Sequence, residues 1–147
     1  MTSISFAADQ YGLPTYQTAD PKYQTLGAWF IGDVSNSLLV LLDALAMVDD
    51  VSKGEAPFEP WSSENYDVSF SRSGVNINNL WVESERGQYS LDDVREALEA
   101  YWRFLSSRPE NPHLVREYRP DLPTWQADLL SWEEKWGRTH PYRGRLF

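Results

Sequence analysis

Tyr66-Asp67-Val68-Ser69-Phe70-Ser71-Arg72-Ser73-Gly74-Val75-Asn76-Ile77-Asn78 is the stretch that decides the fold. Apolar residues 66, 68 and 70 alternate with polar ones, and Val75 and Ile77 alternate with Asn76 and Asn78. Period-two alternation places one face of each segment on a core and the other in water, the mark of a half-buried strand. Gly74 supplies the positive φ that a short connection between two such strands requires. The alternation slips at Asn79-Leu80, where a bulge or the strand end is expected.

Outward from this hairpin the period changes. Ser90 offers an N-cap, with Asp92 and Asp93 at the positive end of a helix dipole. Leu91, Val94, Leu98, Tyr101 and Leu105 then recur every three or four residues, and Trp102 and Phe104 widen the face. Pro109 and Pro112 stop that helix. Upstream, Val34, Leu38, Leu41, Leu42, Leu45 and Val48 form a second stripe, for which Asp33 or Ser35 is the expected cap and Asp50 the approximate end. Downstream, Trp125, Leu129, Trp132 and Trp136 form a third between Thr124 and Gly137. Ile4 and Phe6 read as a short first strand. Residues 9–25, rich in tyrosine and interrupted by Pro14 and Pro21, read as an irregular connection, and residues 26–31 as a strand or a helix entry. Residues 52–65 are expected to form a loop anchored by Phe58 and Trp61, and the basic tail from Arg138 to Phe147 lacks periodicity. The expectation is an α+β fold, a small antiparallel β-sheet packed against three main helices, with residues 1–147 as a single domain and the 124–137 helix docked on the main body.

Composition bounds the function. The 147 residues include 21 aromatics and no cysteine, which excludes disulfides, thiol nucleophiles and thiolate metal sites. A net charge of −9 argues against binding nucleic acid or an anionic membrane. No signal-peptide pattern is present, and the apolar run from Leu38 to Val48 is too short for a membrane span, so a cytoplasmic location is expected. Neither His113 nor His140 lies at a metal-ligand spacing from another ligand-type residue, and both read as loop residues. Glu133-Glu134 and Asp92-Asp93 are adjacent on helices and point about 100° apart, so neither makes a converging acid pair. No glycine-rich phosphate loop or nucleophile elbow is present. The chain reads as a non-enzyme with no metal and no cofactor.

The charge is unevenly spread. Residues 1–100 hold 5 basic and 16 acidic side chains, whereas residues 101–147 hold 8 and 6. Asp49, Asp50, Glu55, Glu59, Glu64 and Asp67 fall in one stretch with only Lys53 among them. A solvated acidic surface serves solubility, and it also steers a basic partner. Trp61 and Trp81 fit no helical stripe and lie beside these acids. The expected partner-binding set is therefore Asp49, Asp50, Glu55, Glu59, Trp61, Glu64, Asp67 and Trp81, chosen from charge and aromatic placement. A small-molecule or carbohydrate-binding module using Trp61 and Trp81 is the alternative, with an enzyme of unrecognised type as a third reading.

The order of features resembles a known group. Gly27-Ala28-Trp29-Phe30 leads into a helix with Leu41-Leu42-Asp43-Ala44-Leu45, an acidic loop with a tryptophan, the hairpin, and a helix opening Ser90-Leu91-Asp92-Asp93-Val94 that carries Ala97-Leu98 and Tyr101-Trp102-Arg103-Phe104-Leu105. Over residues 26–107 this pattern resembles small cytoplasmic immunity proteins of bacterial polymorphic toxin systems, including those of contact-dependent growth inhibition. Residues 1–25 and 108–147 lie outside it. The resemblance implies a non-enzyme that neutralises a cognate toxin domain, commonly a nuclease with a basic cleft, and it fixes no binding residues.

Overall fold

The hairpin forms as its alternation dictates. In the computed structural model, which describes residues 3–147, the first two strands are β1 (Ile4–Ala8) and β2 (Pro14–Thr18). The larger sheet follows, made of β3 (Trp61–Ser62), β4 (Tyr66–Ser71), β5 (Gly74–Asn79) and β6 (Arg86–Tyr89) in that spatial order, all antiparallel. Val68 pairs with Ile77 and Phe70 with Val75, so both apolar sets share the inner face. Gly74 has φ +143°, and a Cβ there would run into the carbonyl oxygen of Tyr89, so the turn and the β6 crossing both require glycine. β5 ends at Asn79, where the alternation slips. The sequence reading missed β6: Arg86-Gly87-Gln88-Tyr89 has no apolar alternation, and only its pairing with β5 makes it a strand.

The inner face packs against α2 (Leu38–Ser52) and α3 (Leu91–Ser106). In α3, the Ser90 hydroxyl accepts the Asp93 N–H at 3.1 Å, as the capping pattern requires. Leu98, at the centre of the stripe, is fully buried, and Trp102 is buried as well. The start of α2 differs from expectation. Residues 24–34 form α1 (Gln24–Trp29), which runs into a wider π-helical turn (Phe30–Val34) closed by Ser35 N–H donating to the Phe30 carbonyl at 2.7 Å. The inserted residue forces a reset: Ser35 takes φ 50°, ψ −124°, and Ser37, not Asp33 or Ser35, caps α2 through the Val40 N–H. The Tyr101 hydroxyl donates to the Ser35 carbonyl at 2.5 Å and holds that turn against α3.

Residues 9–25 are more regular than their composition suggests. The Asp9 carboxylate accepts the N–H groups of Tyr11 and Leu13, Gly12 takes φ +79°, and β2 returns along β1. Phe6 from this ribbon packs against Tyr101, ring centroids 4.7 Å apart and planes tilted by 56°. Then α4 (Thr124–Trp136) docks on α2, ending at Gly137 with φ +66°. The tail after it is irregular yet packed. Tyr142 and His140 are buried, and Leu146 and Phe147 lie against the core. Among the described residues no helix is long and apolar enough to cross a membrane.

His140 lies outside the helices and strands, as its sequence setting suggests, yet it is buried. Its Nε2 lies 2.9 Å from the Leu42 carbonyl, so it must donate, and its Nδ1 accepts the Tyr142 N–H at 3.1 Å. These partners fit only the neutral ring with the proton on Nε2. Burial, acting against the Leu42 carbonyl, pushes the imidazole down to about 4. Between the ordinary histidine pKa near 6.5 and that value, the unfolded chain binds a proton that the folded chain refuses. Stability contributed here is thus complete above about pH 6.5 and falls as pH drops toward 4, by about 3 kcal/mol. Urea unfolding from pH 7 to 4 should show a steeper loss for the wild type than for His140→Gln; parallel curves would contradict the burial. Leu98→Ala should cost about 2–5 kcal/mol in the same assay at pH 7.

Candidate partner-binding surface

The π-helical turn that displaces the α2 cap also points Asp33 at the sheet. Its carboxylate accepts the Trp61 indole N–H at 2.9 Å and the Ser63 hydroxyl at 2.9 Å. Ser63 Oγ in turn accepts the N–H groups of Asn65 and Tyr66. Asp33 therefore fastens the two-residue β3 and its turn to the helical layer. Beside this junction lies a cleft of about 410 Å³, walled by Asp33, Val40, Asp43 and residues 59–65. Four carboxylates border it: Asp33, Asp43, Glu59 and Glu64. Asp43 accepts the Trp132 indole N–H at 2.8 Å. Burial pushes its carboxyl up and the Glu59 charge adds to this, against the pull of Trp132 and Lys135. Among the described residues no cation forms an ion pair with Asp33, Asp43, Glu59 or Glu64.

Of the eight residues expected at the partner surface, Glu59, Trp61 and Glu64 line this cleft. Trp61 is half-buried and is no open platform: its ring meets Trp29 edge-on at 5.1 Å and lies 6.1 Å from Phe70. Asp67 is exposed on the outer face of β4, between Ser62 and Asn78 of the flanking strands. Trp81 adjoins the cleft, its indole N–H donating to the Glu64 carbonyl at 2.8 Å. Glu55 is exposed just past α2, near Arg138 and apart from the cleft walls.

Asp49 and Asp50 are a correction. They are 2% and 5% exposed and are engaged within the protein. Asp50 receives a two-pronged hydrogen bond from Arg138 at 3.1 and 2.7 Å, and Asp49 is flanked by Arg145 at 2.8 Å and Lys53 at 2.9 Å. Burial raises the Asp49 carboxyl, but Lys53 and Arg145 outweigh it and hold the group below its ordinary value. These acids neutralise the tail and offer nothing to a partner.

Sequence reasoning missed two wall residues. Asp33 read as a helix cap, and Asp43, within the apolar run from Leu38 to Val48, drew no functional reading. The latter was the available signal, because a carboxylate within a core stripe needs a donor, which Trp132 supplies. Among the described residues no three His, Asp or Glu side chains come together in a way that could hold a metal ion. No family model, curated protein or solved structure matches this chain.

Asp33→Ala strands two donors at the β3 junction and should cost about 1–3 kcal/mol. Asp33→Asn keeps an acceptor and should cost less. Urea unfolding followed by near-ultraviolet circular dichroism of the tryptophans checks both.

Proposed function

We propose that this chain is an immunity protein that binds and neutralises a cognate bacterial toxin domain, a nuclease with a basic cleft. The observation that carries the reading is the division of the acids into two classes. Those at the end of α2 are consumed by Arg138, Arg145 and Lys53, whereas among the described residues those around β3 and β4 form no ion pair. Leaving several carboxylates together and unneutralised costs self-repulsion, and an arriving basic protein relieves it. A nuclease must hold a polyanion, so its own cleft is positive, and an acidic surface laid across it excludes substrate. The contact set supported by the geometry is Glu59, Glu64 and Asp67 with Trp81, next to Asp33; Asp49 and Asp50 drop out of it.

The test is protection. The chain is co-expressed with the toxin-type product of the reading frame beside its own, and survival is scored. Rescue is expected, and killing that the chain does not relieve overturns the assignment. With the purified toxin domain, raising salt from about 50 to about 500 mM should slow association by about tenfold or more, with little change in dissociation. The Glu59→Lys, Glu64→Lys, Asp67→Lys triple variant should slow association at low salt while melting as the wild type does. Equal rates and no salt dependence would contradict an acidic contact.

A further inference from the structure

Leu80, Trp81 and Val82, between β5 and β6, are 52%, 77% and 44% exposed. Three consecutive apolar residues in water are unusual for a loop. None of them joins the partly buried shell around the core, and among the described residues the Trp81 ring stacks on no other ring. Yet the backbone N–H groups of all three residues, and the indole N–H, are tied down. The Asn79 side-chain oxygen accepts the N–H groups of both Trp81 and Val82, at 2.8 and 3.0 Å. The Asn79 amide donates to Glu85 at 2.7 Å, and Glu85 N–H returns to the Val82 carbonyl at 2.9 Å. Leu80 N–H donates to the Asn65 carbonyl, and the Trp81 indole N–H to that of Glu64. The hydrogen bonds cover no core. Their combined effect is to hold an indole ring outward in one orientation.

We propose that Leu80-Trp81-Val82 is a preformed anchor that enters an apolar socket rimmed by lysine or arginine side chains on a partner protein. The inference rests on the toxin-neutralising reading and names its central contact. An aromatic ring already fixed in place loses little freedom on binding, and its one polar atom is already satisfied, so nothing polar is stranded when the socket closes over it. The occupant follows from charge. Glu64 and Glu83 are exposed next to the ring, and Glu85 sits at the foot of the loop. A neighbouring cation, Arg86, turns back onto the Glu83 carbonyl at 3.1 Å and its carboxylate at 3.9 Å. A ring set among carboxylates selects a socket with a positive rim and rejects an acidic one. The arrangement is that of an interface hot spot, an aromatic centre enclosed by charges that act mainly on the rate of encounter.

The experiment uses the full chain and the purified toxin domain from the protection assay, with binding followed by surface plasmon resonance. Trp81→Ala should weaken binding at least thirtyfold, mainly by faster dissociation, with the melting temperature unchanged because the ring covers no core. Asn79→Ala leaves the ring in place but unfastens the loop, and should weaken binding several-fold. Glu83→Lys should slow association at low salt and leave dissociation nearly unchanged. Asp92→Ala, on an exposed position of α3, should bind as wild type. If wild type binds and Trp81→Ala binds equally well, the anchor is wrong and the toxin-neutralising reading stands. If wild type does not bind the toxin domain, both fall. If wild type sediments as a dimer that Trp81→Ala breaks, the socket belongs to a second copy of this chain, and the basic-partner proposal is overturned.

Discussion

The pairing of two buried carboxylates with a tail of arginines is the constraint on which the rest of the structure depends. Helix α2 runs through the middle of the molecule, and most of its residues are enclosed on all sides. Its last turn carries Asp49 and Asp50 at the negative end of the helix dipole, the least favourable place for an anion. Burying either alone is costly. Arg138 and Arg145 reach in from the tail, while Arg143 ties that tail to Glu133 on α4 at 2.7 Å. Because the acids need those arginines, the tail must lie where it does. Because the tail lies there, His140 and Tyr142 become core residues and α4 is held over α2.

The arginines also act as packing groups. Arg138 lies over the rings of Phe58 and Trp132, and Arg145 over Tyr142. Guanidinium planes stack on aromatic faces while their N–H groups stay free for carboxylates. The basic tail and the tryptophan-rich α4 therefore serve one purpose, closing the lower side of α2 with a layer that is apolar toward the core and cationic toward the acids. Around β3 and the cleft, by contrast, Asp33, Asp43, Glu59 and Glu64 form no ion pair among the described residues.

Much of the fold was legible in the sequence. The hairpin, α3 with its Ser90 cap and α4 with its Gly137 stop all follow from periodicity and local chemistry, because each is specified by residues close along the chain. What was not legible depends on pairing at a distance. β2 and β6 are polar strands recognisable only beside β1 and β5. The π-helical turn arises where α1 meets the sheet, and no single residue announces it. The site was read in part for the same reason. Glu59, Trp61, Glu64 and Trp81 do gather around one cleft and its margin, but a run of acids looks alike in sequence whether water or arginine faces it. Nothing within residues 49–67 marks Asp49 and Asp50 as different, because their partners lie 88 and 96 residues further on. The tail that reads as an unpatterned basic extension was the missing half of that information.

A segment without regular structure at the surface ordinarily frays by itself, opening and closing at little cost. The stretch after Gly137 is barred from doing so. Lifting it from α2 leaves two carboxylates unpaired in a space water reaches poorly, strips the Leu42 carbonyl of its donor and uncovers Trp132. The cheapest way to relieve all three is to open α2 as well. The buried charges thus join the tail to the central helix as one cooperative unit, and amide hydrogens in the irregular residues 140–146 should exchange on the timescale of the core and not of a loop.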